Sequence, residues 1–114
     1  MALHYNLAKV YALSENDTEF AIQILQLFVT EVPSDLQQID EGIKNKNYQQ
    51  AYSFAHKLKP TFDLIGMNVA YQEILEIEAW TKREGKKSEI QATFDSIKNQ
   101  VEKAIKEIKK DFEI

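Results

Sequence analysis

His56 and Lys59 stand three residues apart in the run Ala55-His56-Lys57-Leu58-Lys59-Pro60. An imidazole has an ordinary pKa of about 6.5, which leaves it largely neutral and nucleophilic near pH 7. A lysine at i+3 is its neighbour on a helical surface, with Cβ atoms roughly 5–6 Å apart. Its ammonium can offset negative charge on a group arriving at the ring. Little else in the chain offers covalent chemistry. There is no cysteine, which excludes a disulfide framework, a thiolate zinc site and a thiol nucleophile. The second histidine, His4, reads as an incidental terminal residue. His56 and Asp63 at i+7 give a metal two ligands, too few for a closed site. No glycine-rich phosphate loop, nucleophile elbow or helical H-E-x-x-H pattern is present.

The elements that position these residues are helices. Three glycines and two prolines in 114 residues are too few for a many-stranded chain, which needs a turn signal every 8–12 residues or so. The recurring apolar spacing is three and four. With 44% apolar and 28% charged residues, the composition supports a core under a solvated surface. The length allows one domain and leaves no room for a second catalytic one. Net charge is −4, with seven acids and two bases in residues 1–45. This acidic first third speaks against nucleic acid as a partner. The basic residues Lys82, Arg83, Lys86 and Lys87 around Gly85 read as a solvated helix end. Residues 1–13 do not read as a secretion signal, and there is no apolar run of the roughly 18–20 residues needed to span a bilayer. The expectation is therefore a cytoplasmic protein, monomeric, with no membrane contact.

Residues 1–16 read as a lead-in segment lying against the bundle. A first helix is predicted from Asp17, with Asn16 as its N-cap. Its Phe20, Ile24, Leu25, Leu27, Phe28 and Val32 cover more than one stripe, so it either buries two faces or exposes one to a partner. Val32-Pro33 is expected to break this helix and Pro33 to open the next, over roughly 33–46. Asn47 can cap a third helix over 48–65, which Gly66 stops. Asn68 can cap a fourth over 68–84, closed by Gly85. Trp80 on that helix is expected in the core or at its edge. Ser88-Glu89-Ile90-Gln91 forms a capping-box pattern for the last helix, 88–112. Its Ile90, Phe94, Ile97, Val101, Ile105, Ile108 and Phe112 give the cleanest apolar stripe. The short connections predict an all-α fold, an antiparallel up-and-down four-helix bundle with an additional N-terminal helix.

On the third helix, Ala51, Phe54, Ala55, Leu58, Phe62 and Ile65 cluster about one direction, and His56 points roughly 140° away from it. His56 is thus expected on the solvent side with Tyr52, Lys59, Pro60 and Asp63. Alone, that describes an ordinary surface histidine. The surrounding residues add more. Ala55, His56, Leu58 and Lys59, with Gly66 ten residues after the histidine, resemble the histidine-containing phosphotransfer (HPt) domain, whose signature is A-H-x-L-K-G followed by a glycine at that distance. The helical reading is similar to that family's architecture over nearly the full chain. Pro60 departs from the family's usual glycine. In mid-helix it deletes the bond to the His56 carbonyl, at a cost of about 3 kcal/mol. A kinked but continuous helix is expected, because the apolar spacing runs unbroken from Phe54 through Leu58 to Phe62.

The resemblance implies a phosphorelay carrier. His56 would accept a phosphoryl group from a receiver-domain aspartate of a hybrid histidine kinase and pass it to a response regulator, with Lys59 as electrostatic support. It implies no intrinsic cofactor and no kinase activity of the chain's own; Mg²⁺ is expected on the partner receiver. Tyr52, Ser53, Pro60 and Asp63 are expected at the rim of the site, and Lys57 as a solvated lysine. Ile24 and Phe28 are the expected docking residues. Met1 and the complete helical pattern favour a free-standing carrier spanning 1–114 over a piece of a larger kinase. The alternative is a helical adaptor that binds a receiver or another signalling protein without transferring phosphate.

Overall fold

The computed structural model describes residues 3–114, and their regular structure is entirely helical: α1 Ala8–Ser14, α2 Thr18–Lys44, α3 Tyr48–Leu64, α4 Asn68–Lys82 and α5 Lys87–Phe112. Short links join α2 through α5, so consecutive helices run antiparallel and close an up-and-down four-helix bundle. The short α1 packs against α2. Among the described residues, no helix is long and apolar enough to cross a membrane.

The core follows the apolar periodicity. Along α2 it takes Ala21, Leu25, Phe28, Val32, Leu36, Ile39 and Ile43, and along α5 Ile90, Phe94, Ile97, Val101, Ala104 and Ile108. On α5 the stripe turns through Ala104, leaving Ile105 and Phe112 only half-buried. Trp80 is fully buried and its indole N–H donates to the Lys86 carbonyl at 2.8 Å. The Tyr48 ring tilts against it at 5.0 Å between centroids. Gly85 is required there, since a Cβ would lie 2.5 Å from the Trp80 ring.

The largest correction concerns Pro33. The expected break is absent, and the two helices predicted over 17–32 and 33–46 are one helix of 27 residues. Proline removes the amide that would bond the Val29 carbonyl, a cost of about 3 kcal/mol. The stripe of Phe28, Val32, Leu36 and Ile39 continues through it on the core side, and burying each such side chain contributes about 1.5–3 kcal/mol. Burial outweighs the local penalty. The additional N-terminal helix is therefore α1, inside the segment read as a lead-in; residues 1 and 2 of that segment lie outside the described residues. Pro60 likewise sits inside a continuous helix, as expected for α3.

Three caps also move. Asp17, not Asn16, caps α2, its carboxylate accepting from the amides of Glu19 and Phe20. Asn16 has φ of 69° and belongs to the left-handed turn before the helix. Met67 precedes α4, and Asn68 is already helical. For α5 the cap is Lys86, whose amide donates to the Glu89 carboxylate at 2.6 Å. Asn47 caps α3 as predicted, accepting from Gln50 at 3.1 Å.

Gly66 does more than stop α3. Its φ is 69°, and a Cβ would come within 2.6 Å of Asn6 Cβ. The N-terminal segment runs across this turn, with the Asn6 amide donating to the Ile65 carbonyl at 2.8 Å. It is held to α5 through Glu107, whose carboxylate accepts from the Leu3 and His4 amides. Tyr5 donates its hydroxyl proton to Asp111 at 2.8 Å. His4, expected to be incidental, faces Glu107 at 3.3 Å.

Candidate functional site

α3 buries Ala51, Ala55, Leu58 and Phe62 against the bundle and turns His56 outward between them. The side chain of His56 is 57% exposed, as its angular position on the helix requires. One edge of the ring is engaged. Nδ1 lies 2.8 Å from Oε2 of Glu78, on the facing helix α4. Lys59, one turn beyond His56, reaches the other oxygen of the same carboxylate at 3.4 Å. Glu78 itself is only 9% exposed at its side chain.

This acid went unnoticed in the sequence. Its signal was its place on α4: one turn after Ile74 and next to Ile77, both fully buried. An acid on that flank of an amphipathic helix is costly to bury unless paired. Here it is paired twice. An ionised carboxylate accepts hydrogen bonds and cannot donate them, so facing Glu78 favours the tautomer with the proton on Nδ1. Nε2 then carries the lone pair, on a side chain that is largely exposed.

The other expected residues separate into those near the imidazole and those apart from it. Tyr52 stacks on His56, with centroids 5.5 Å apart and planes 15° from parallel. Ser53 and Pro60 are exposed on the same helix. Asp63 is turned to α1, taking a 2.6 Å ion pair from Lys9. Lys57 is not simply solvated: its ammonium spans to Asp35 of α2 at 3.0 Å, and that acid is buried.

Ile24 and Phe28 lie together on α2, lining a recess of about 160 Å³ with Leu27, Lys57, Thr61 and Leu64. Phe28 is buried there, whereas Leu27 is 54% exposed. Of the two alternatives for the N-terminal part of α2, two buried faces or one exposed, the structure shows one apolar face uncovered, with Phe20 and Leu27 on it. Among the described residues, no cluster of three or more His, Asp or Glu side chains is arranged to hold a metal.

A family model for the Hpt domain matches residues 23–110, from within the first half of α2 almost to the end of α5. The chain belongs to the Hpt domain family. Searches among curated proteins and among solved structures give no match. With the all-α bundle, Hpt membership supports a phosphorelay or adaptor role and signalling partners such as receiver domains. The Hpt match contains both sides of the pair described above, His56 on α3 and Glu78 on α4.

Proposed function

We propose that the protein is a phosphorelay carrier whose His56 takes a phosphoryl group at Nε2 from a receiver aspartate and returns it to the aspartate of a response regulator. The observation that carries this reading is the 2.8 Å contact between Nδ1 of an exposed His56 and the buried carboxylate of Glu78. A nucleophile of this kind needs its lone pair on the accessible nitrogen and its proton on the other. Glu78 supplies that polarity from within the protein.

In the forward step the Nε2 lone pair forms the N–P bond. The P–O bond of the aspartyl phosphate breaks, and the carboxylate leaves with its electron pair. Nδ1 keeps its proton, so the imidazole becomes cationic and leans on Glu78. Passing the group on reverses these changes. Lys59 is already drawn to the site by Glu78, and its ammonium can turn to the phosphoryl oxygens as they arrive. The receiver brings Mg²⁺ and its acidic pocket; this chain brings the nucleophile, the lysine and a docking surface. The exposed Leu27 beside Ile24, with the recess between α2 and α3, is the apolar anchor for that contact.

The reading is tested by incubating the chain with a phosphorylated receiver domain and Mg²⁺, and measuring phosphate on it that is stable to alkali and labile to acid. Label on the wild type and none on a folded His56→Gln variant supports the carrier. Binding without label under any donor supports the adaptor instead.

A further inference from the structure

Tyr52 precedes His56 by one helical turn, and the two rings lie nearly parallel, 5.5 Å apart between centroids and 15° between planes. The ammonium of Lys82 stands 5.6 Å from the centroid of the same tyrosine ring. Lys82 follows Glu78 by four residues on α4, so one turn of that helix meets both rings, the imidazole through Glu78 and the tyrosine through Lys82. Glu78 touches the imidazole edge, and Lys82 lies by the tyrosine ring that is stacked, offset, beside the imidazole. Three charged groups bear on the imidazole or its stacking ring, Lys59 on α3 and Glu78 and Lys82 on α4, while the neighbouring Lys57 is turned to Asp35 of α2.

Two consequences follow from a parallel aromatic wall. The torsion that spins an imidazole is broad and roughly two-fold. A half-turn would carry Nδ1 away from Glu78 and present the wrong nitrogen. An offset parallel ring beside the imidazole, together with a hydrogen bond at its edge, leaves one arrangement favoured. The second consequence concerns charge. An imidazole that takes a phosphoryl group on Nε2 while keeping a proton on Nδ1 is a cation, and the face of tyrosine attracts cations.

We infer that Tyr52 is a positioning residue for phosphoryl transfer at His56, holding the imidazole with Nε2 outward and favouring the cationic ring formed as the N–P bond is made. This inference rests on the carrier reading and extends it to a residue that the position of the histidine alone does not assign.

Phosphoramidate is the suitable probe because it needs no docking surface. The Nε2 lone pair forms the new N–P bond, the P–N bond of the protonated donor breaks, and ammonia leaves with that electron pair. The full chain and its Tyr52→Phe and Tyr52→Leu variants are phosphorylated with this donor and followed by ³¹P NMR, with His4 as the internal reference. The half-buried position accepts leucine's bulk, and ¹H–¹⁵N spectra of the unphosphorylated ring give a second readout, its tautomer. Tyr52→Phe is expected to keep the rate, the Nε2 product and the Nδ1–H tautomer. Tyr52→Leu is expected to slow His56 relative to His4 by about two- to fivefold, with Nδ1 product appearing and the tautomer preference weakened. Wild-type rate, product and tautomer in Tyr52→Leu would overturn the inference, as would an equal loss in Tyr52→Phe. If the tyrosine dependence holds but no receiver labels His56, the positioning role is supported and the carrier reading fails.

Discussion

The imidazole of His56 and the carboxylate of Glu78, twenty-two residues apart in the chain, meet across the α3–α4 seam at 2.8 Å. The contact gives an exposed side chain a buried partner, and in the proposed carrier it assigns the two ring nitrogens different work.

Removing that partner tests the division of labour. Glu78→Ala is expected to lower the rate of transfer from a phosphorylated receiver about tenfold, equivalent to roughly 1.4 kcal/mol in the barrier. Stability should fall by only about 1 kcal/mol, because His56 and Lys59 can both turn to water. Stopped-flow transfer assays beside urea denaturation measure the two effects. Equal rates in mutant and wild type would remove Glu78 from the mechanism.

Lys59→Ala should separate function from folding in the same way. Its ion pair is stretched, at 3.4 Å, and a partly exposed pair contributes about 0–1 kcal/mol to stability. The transfer rate is expected to drop several-fold with a denaturation midpoint close to wild type. A loss confined to stability would make the lysine structural.

The Lys57–Asp35 pair predicts an asymmetry. Lysine is the exposed end and aspartate the buried one. Lys57→Ala leaves a buried acid without its partner and is expected to cost about 1–3 kcal/mol. Asp35→Asn keeps a polar group of similar shape, leaves a lysine free to reach water, and should cost less. Urea midpoints of the two variants decide the order; the reverse order would mean that Asp35 finds other solvation.

How much of this was legible without coordinates depended on whether the information was local. The α5 stripe and the outward direction of His56 follow from a fixed angle per residue, which a sequence carries in full. Pro33 was misread because its penalty is local whereas the burial that offsets it, through Phe28, Val32 and Leu36, comes from neighbouring helices. Asn16 and Asp17 are both capable caps, and only the backbone angle of Asn16 separates them. Glu78 was hidden for a further reason. Its place beside Ile74 and Ile77 marks an acid on the buried flank of α4, but not the partner it meets on α3, which is fixed by how two helices dock. The matched residues of the histidine motif all lie on α3 and the turn after it, while the carboxylate that contacts the ring is on the next helix.

A pH prediction comes from the N-terminal segment. Hydrogen bonds from the His4 and Leu3 amides and from the His4 ring, with the charge on that ring, hold the Glu107 carboxyl below its usual range against the opposing effect of desolvation. A carboxyl depressed in the folded state contributes stability that is present above its unfolded pKa, about 4.3. That contribution is lost as pH falls through the folded value. Thermal melts should therefore show wild type more stable than Glu107→Gln at pH 7, with the gap closing below about pH 4. A gap that persists undiminished in acid would mean that the charge of Glu107 is not what holds the segment.

The most direct test of the central claim is the position of phosphorus on the ring. The chain is uniformly labelled with ¹⁵N, phosphorylated by a receiver domain with Mg²⁺, and kept alkaline while long-range ¹H–¹⁵N and ³¹P couplings are recorded. A single phosphohistidine is predicted, at His56, with phosphorus on Nε2 and the proton on Nδ1. Phosphorus on Nδ1, label on another residue, or no phosphohistidine at all would contradict the account.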